Sequence, residues 1–135
     1  MPSAEIEEFG KRLIRWVRDR AIAGCDMNLR PDAKYPAAKR WKAAVAEGSS
    51  DAAIRTVVPD CVDVTIFYLL NAIDEGVLKL SFRAENGETV DLTRDGLSEL
   101  AGWYAGEGWR QRHSKQRFHD DNADLADFFQ RKNPE

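Results

Sequence analysis

Apolar side chains recur along this chain with two different periods, and the change of period divides it into elements. Ile6, Phe9, Leu13, Trp16 and Val17 fall at helical spacing, with Lys11, Arg12, Arg15, Arg18 and Arg20 between them. Recurrence every three to four residues gathers them into one stripe on a helix. Ser3 stands where an N-cap would accept a backbone N–H, and Glu5, Glu7 and Glu8 put negative charge at the positive end of the dipole. This predicts an amphipathic helix of about twenty residues closing at Gly24. Residues 25–34 read as a loop turning at Pro31-Asp32. A second helix opens with Pro36 at its first position, where a missing N–H costs nothing. It carries Ala37, Ala38, Trp41, Ala44 and Val45 inward, turns Lys39, Arg40 and Lys42 outward, and ends at Gly48. Ser49, Ser50 or Asp51 caps a short helix over 52–58, which Pro59 separates from the next element.

Residues 60–71 form the most apolar helix of the chain. Val62, Ile66, Leu69, Leu70 and Ile73 keep the helical period, and Phe67 and Tyr68 widen the apolar surface beyond one stripe. Such a helix is predicted to be buried on several sides. Asp60 and Asp63 then serve the helix dipole, and Gly76 ends the element. Here the period changes to two. Leu78, Leu80 and Phe82 alternate with Lys79, Ser81 and Arg83, and Val90 and Leu92 alternate with Thr89, Asp91 and Thr93, with Asn86-Gly87 between the two runs. That is a hairpin over 77–93 with one face on the helices, since a two-stranded sheet is barely stable alone. Asp95 is predicted to cap a further helix through Leu97, Leu100, Ala101 and Tyr104, ending near Tyr104. Leu125, Phe128 and Phe129 suggest a short terminal helix over 122–131. The elements predict one α+β domain over 1–135: a helical layer with a buried central helix packed on a small antiparallel β-hairpin.

Composition changes this picture little. A chain of 135 residues, 43% hydrophobic and 32% charged, is ordinary for a globular protein. No run is read as long enough to span a membrane, and the first residues lack the basic and apolar regions of a signal peptide. The expectation is a cytoplasmic protein with no membrane association. Cys25 and Cys61 are read as free thiols, the first in a loop and the second buried in the apolar helix. Charge adds more. The net −3 conceals an acidic middle, with 4 Lys/Arg against 11 Asp/Glu in residues 49–109. Such a section either solvates the surface or steers a basic partner.

Candidate chemistry is concentrated in residues 103–119. Trp103, Tyr104 and Trp109 are crowded with Arg110, Arg112, His113, Lys115 and Arg117, and Asp120, Asp121, Asp124 and Asp127 follow. Four readings apply. The cations hold a phosphate or carboxylate. The rings stack the bases of a single strand, against which the adjacent acids and negative net charge argue. The aromatics and arginines anchor a protein partner. Or the tryptophans fill the core and the cations pair with the nearby aspartates. His113 and Ser114 are neighbours in sequence, an arrangement that does not face a base toward a nucleophile. There is no Gly-x-Ser-x-Gly, phosphate-binding loop or GxGxxG. His113 and His119 with Asp120 or Asp121 make a poor metal set.

No metal, cofactor or reaction is therefore expected. The function expected is a protein-binding module with a basic partner, of which a toxin-neutralising immunity-type protein is one version. The alternative is a ligand-binding or enzymatic domain that uses 103–119 to hold an anionic small molecule, and homo-oligomerisation is a third possibility. Convergence of Arg110, Arg112, His113 and Arg117 with Trp109 on a concave surface would favour the ligand. Cations that fan out into solvent, or that pair with Asp120, Asp121 and Asp124, would remove it.

Overall fold

The predicted change of period is realised as helices surrounding one long helix, with a hairpin at its C-terminal end. The computed structural model describes residues 3–106 and 108–121. The predicted terminal helix over 122–131, together with Asp124 and Asp127, lies outside the described residues. Helix α1 (Ala4–Leu13) runs through a π-helical turn (Ile14–Arg18) into α2 (Asp19–Met27). The helix thus passes the expected stop at Gly24, and Cys25 lies in α2, not in a loop. Helix α3 spans Pro36–Ala46, and α4 spans Ser50–Asp74. Strands β1 (Ser81–Arg83) and β2 (Thr89–Asp91) pair antiparallel, with Phe82 opposite Val90. Three short helices follow: α5 (Leu92–Asp95), α6 (Leu100–Ala105) and α7 (Trp109–His113). This is the expected α+β architecture.

Proline at position 59 does not break the chain into two helices. Ser49 caps α4 through the Ala52 N–H, and the helix continues through Pro59 to Asp74. A proline inside a helix removes one i→i−4 bond and leaves the carbonyl of residue i−4 without its donor. Here that carbonyl belongs to Arg55, and Arg117 Nε donates to it at 3.1 Å. Because the helix is unbroken, α4 is long and apolar enough, by length and composition, to cross a membrane. The contrary expectation rested on dividing the chain at Pro59.

Helix α4 packs against the π-turn, α2, α3, α5 and α6. The buried apolar cluster lies around its C-terminal end: Val17 from the π-turn, Ala72 and Ile73, Leu78 and Leu100. Leu69, Leu70, Leu80, Trp103 and Trp109 pack against that cluster half-buried. Its middle is less covered, and Ile54, Val58, Val62 and Phe67 remain exposed. On α3, Ala38, Trp41 and Ala44 are buried as the period requires, whereas Val45 is exposed and Arg40 turns inward. At the hairpin the alternating pattern holds for Leu78, which is buried, and fails for Phe82, which is 57% exposed. Among the described residues, β1 makes its main contacts with β2.

The segment after the hairpin divides where one helix was expected. Asp91, not Asp95, caps α5, accepting from the Thr93 and Arg94 N–H groups, while the Asp95 carboxylate accepts the Asp91 N–H. The first two N–H groups of α6 donate to the Asp74 carboxylate at the end of α4, both at 3.0 Å. Between them, Gly96 permits a close approach: a Cβ there would lie 2.4 Å from the Leu92 carbonyl oxygen. Helix α6 ends at Ala105, as the glycines after it suggest.

Candidate functional site

Two carboxylates on an otherwise apolar stretch of α4 organise the described site. Asp60 and Asp63 stand in the middle of the helix, so the expected role at a dipole terminus does not apply to them. A charge held away from water needs partners, and both find several. Asp60 is 7% exposed. It accepts from Arg40 (Nη2–Oδ1 2.8 Å, Nε–Oδ2 3.3 Å) and from the Trp41 indole N–H at 2.7 Å, and His119 Nδ1 lies 3.2 Å from Oδ1. Arg40 also donates to both oxygens of Asp121, at 2.8 and 3.0 Å. Helix α3 is thereby joined to α4 and to the segment after α7.

Asp63 takes the next set. It accepts from the Tyr104 hydroxyl at 2.6 Å and from Arg110 Nη1 at 2.8 Å. Arg110 is buried. Its Nη2 donates to the Ala105 carbonyl at 2.8 Å, and its guanidinium lies over the rings of Tyr104 and Phe118, 5.5 and 4.7 Å from their centroids. Its Nε is buried with no hydrogen-bond partner. This arrangement combines an ion pair with cation–π contacts to two rings. Arg110 therefore takes the structural role that was one of the four readings, paired with Asp63 and not with Asp120 or Asp121.

A pocket of about 550 Å³ opens beside this pair. Val58, Pro59 and Val62 of α4 form one wall, Tyr104, Trp109 and Phe118 supply rings, and His113, Ser114, Gln116 and Arg117 edge it. Arg117 is tied to the wall through the Arg55 carbonyl. Its Nη groups have no hydrogen-bond acceptor among the described residues. Of the residues singled out from the sequence, Tyr104, Trp109, Arg110, His113 and Arg117 meet here. Trp103 packs against Trp109 with its ring tilted 44° and centroids 5.9 Å apart, and faces the core. Arg112 and Lys115 are exposed and do not line the pocket. Sequence reasoning missed Arg40, Trp41, Asp60, Asp63, His119 and the α4 wall. The available signal was the pair of aspartates within an apolar run, a composition that calls for buried partners. Among the described residues, no group of three or more His, Cys, Asp or Glu is arranged to hold a metal.

Two acids packed near α4, Tyr104 at this site and Cys25 in the groove between α2 and α4, are harder to ionise than their free forms. Burial, then the bond to the Asp63 carboxylate, lifts the Tyr104 phenol well above its usual range. Burial, then the neighbouring Cys61, pushes the Cys25 thiol up to about 12. An acid that is harder to ionise when folded stabilises the fold below its unfolded pKa and loses that contribution as pH rises toward the folded value. Unfolded thiol and phenol ionise near 8.5 and 10. The urea midpoint should therefore fall between about pH 8 and about pH 10.5, and Tyr104→Phe should flatten part of the decline. Equal midpoints at the two pH values would refute this assignment.

No protein-family model, curated protein or solved structure matches this chain.

Proposed function

We propose that the protein is a binding domain with no reaction of its own, and that the pocket against α4 receives an anionic small molecule with a flat apolar body. The observation that carries this reading is the convergence of Trp109, His113 and Arg117 on one concave surface whose remaining walls are Val58, Val62 and Phe118. Ligand sites are typically apolar clefts with a few placed polar groups. With Arg110 neutralised by Asp63, the fixed positive charge at the rim is that of Arg117. A carboxylate, sulfonate or phosphate would meet it at the edge while the apolar part lies against α4 and Trp109.

The protein-binding reading has weaker support in its acidic-surface form. Asp60 and Asp63 are held in ion pairs, Asp74 and Asp91 cap helices, and Asp95 bonds Arg94 and the Asp91 N–H. These acids of the middle section are engaged within the chain, which leaves less of the charge asymmetry to attract a basic partner. The exposed row Ile54, Val58 and Val62 beside the pocket favours this second reading in another form, with apolar contact around the same pocket.

Titration of the labelled protein with phenyl phosphate and with phenylacetate, followed by two-dimensional NMR, tests the first reading. Shifts should concentrate on the Trp109 indole and on residues 113–118, and 2-phenylethanol should bind at least about tenfold more weakly, a difference of about 1.4 kcal/mol. Arg117→Ser should remove that preference. Scattered shifts, or equal binding of the neutral compound, would reject an anion-selective pocket.

A further inference from the structure

The two cysteines, separated by 36 positions in sequence, meet in the fold. The Cys25 thiol on α2 donates to Cys61 Sγ on α4, with the sulfurs 3.2 Å apart. Both side chains are half-buried. Among the described residues, neither sulfur has another hydrogen-bond partner. We infer that Cys25 and Cys61 are a dithiol site that a small-molecule disulfide oxidises to an intramolecular bond, closing the first helical segment onto the central helix.

The geometry supports each stage. A disulfide requires sulfurs at about 2.03–2.05 Å, roughly an ångström closer than they now stand. Access is through a groove of about 480 Å³ between the π-turn and α2 on one side and α4 on the other, lined by Ile14, Val17, Ala21 and Ile22 as well as both cysteines. Cys61 also opens onto a second depression beside Val62 and Ile66. It is the sulfur with two approaches and the one that accepts the hydrogen bond. Thiolates, not thiols, attack. The Cys25 pKa is held above its usual range by burial, by the bond to Cys61 and by the charges of Asp26 and Asp60, and Cys25 is placed as the second attacker because Cys61 has the two approaches.

The sequence of events follows. Cys61 gives its proton to solvent, and its thiolate attacks one sulfur of R–S–S–R, forming a mixed disulfide and expelling RS⁻, which takes a proton. Cys25 then loses its proton and attacks Cys61 Sγ, and the second R–S⁻ leaves and is protonated. The two protein thiols are oxidised by two electrons, and one small disulfide is reduced to two thiols. The inference does not depend on what the pocket beside Trp109 and Arg117 binds.

The test is incubation of the full chain with oxidised glutathione, followed by intact mass and by alkylation of remaining thiols after denaturation. The product should be a monomer lighter by two hydrogens, with no thiol left to alkylate. Its thermal midpoint should exceed that of the reduced chain, and dithiothreitol should reverse both changes. Cys25→Ser should retain glutathione on Cys61, and Cys61→Ser should react at least about tenfold more slowly. Two surviving thiols, glutathione retained by the wild-type chain, a disulfide-linked dimer, or a lower midpoint on oxidation would each overturn the inference.

Discussion

Asp60→Ala should lower the unfolding free energy by about 3–5 kcal/mol, the range for breaking a buried ion pair by removing one partner. The Asp60 side chain is 8% exposed, and it ties α4 to Arg40, Trp41 and His119 at once. The loss is partly buffered because Arg40 keeps Asp121. It is aggravated at Trp41, which is 4% exposed and would keep an indole N–H with no acceptor, a penalty of about 1–3 kcal/mol by itself. Asp60→Asn preserves shape and one acceptor and should cost roughly half as much. Urea unfolding of the three proteins, with slopes compared as well as midpoints, measures the difference. A loss below about 1 kcal/mol for Asp60→Ala, in the range of exposed pairs, would mean that water already reaches the carboxylate.

The second large effect is expected at Arg110. Its guanidinium bonds Asp63 and Ala105 and lies over the rings of Tyr104 and Phe118. Arg110→Ala removes all of these and leaves Asp63 held by Tyr104 alone, so a loss of about 3 kcal/mol or more is expected. Lysine should not rescue it, because a point charge has neither the planar fork nor the flat surface that packs on the two rings. In a double-mutant cycle with Asp63→Asn, the coupling between the two positions should reach about 2 kcal/mol, within the range for residues of one network. Additive losses would place the contribution of Arg110 in its contacts with the rings and not in the ion pair. Near-ultraviolet circular dichroism would report the accompanying change around Trp109.

These effects were legible in the sequence only in part. Periodicity located the helices and the hairpin because it records which side of an element faces the interior, and Asn86-Gly87 marked the turn because few other pairs suit it. What periodicity cannot record is which distant donor an element will meet. Arg40 was assigned outward as a cation on a helix, yet Asp60, twenty positions later, draws it inward. Asp60 and Asp63 were assigned to a helix start because Pro59 precedes them, and the same proline concealed that α4 begins at Ser50. The cap of α6 comes from Asp74, 26 positions before Leu100, and no local rule reaches that far. Cys25 and Cys61 appeared unrelated for the same reason. Within the candidate site, the cluster of rings and cations was visible in the sequence. Its division into one buried arginine, two pocket-edge residues and two outlying cations was not, because each assignment depends on what α4 presents.

Proline 59 joins these observations in one further respect. An ordinary residue at that position would complete the helical ladder and occupy the carbonyl that Arg117 now uses. The segment carrying Gln116, Arg117 and Phe118 would then lose a point of attachment on α4. The missing donor works as a mooring: a gap in the bonding of the longest helix is where a strap of irregular backbone fastens, and the concavity exists between the two. An uninterrupted ladder at residue 59 would leave that strap held by Phe118, His119 and Asp121 without the Arg55 contact, so a defect in one element becomes a fastening point of another.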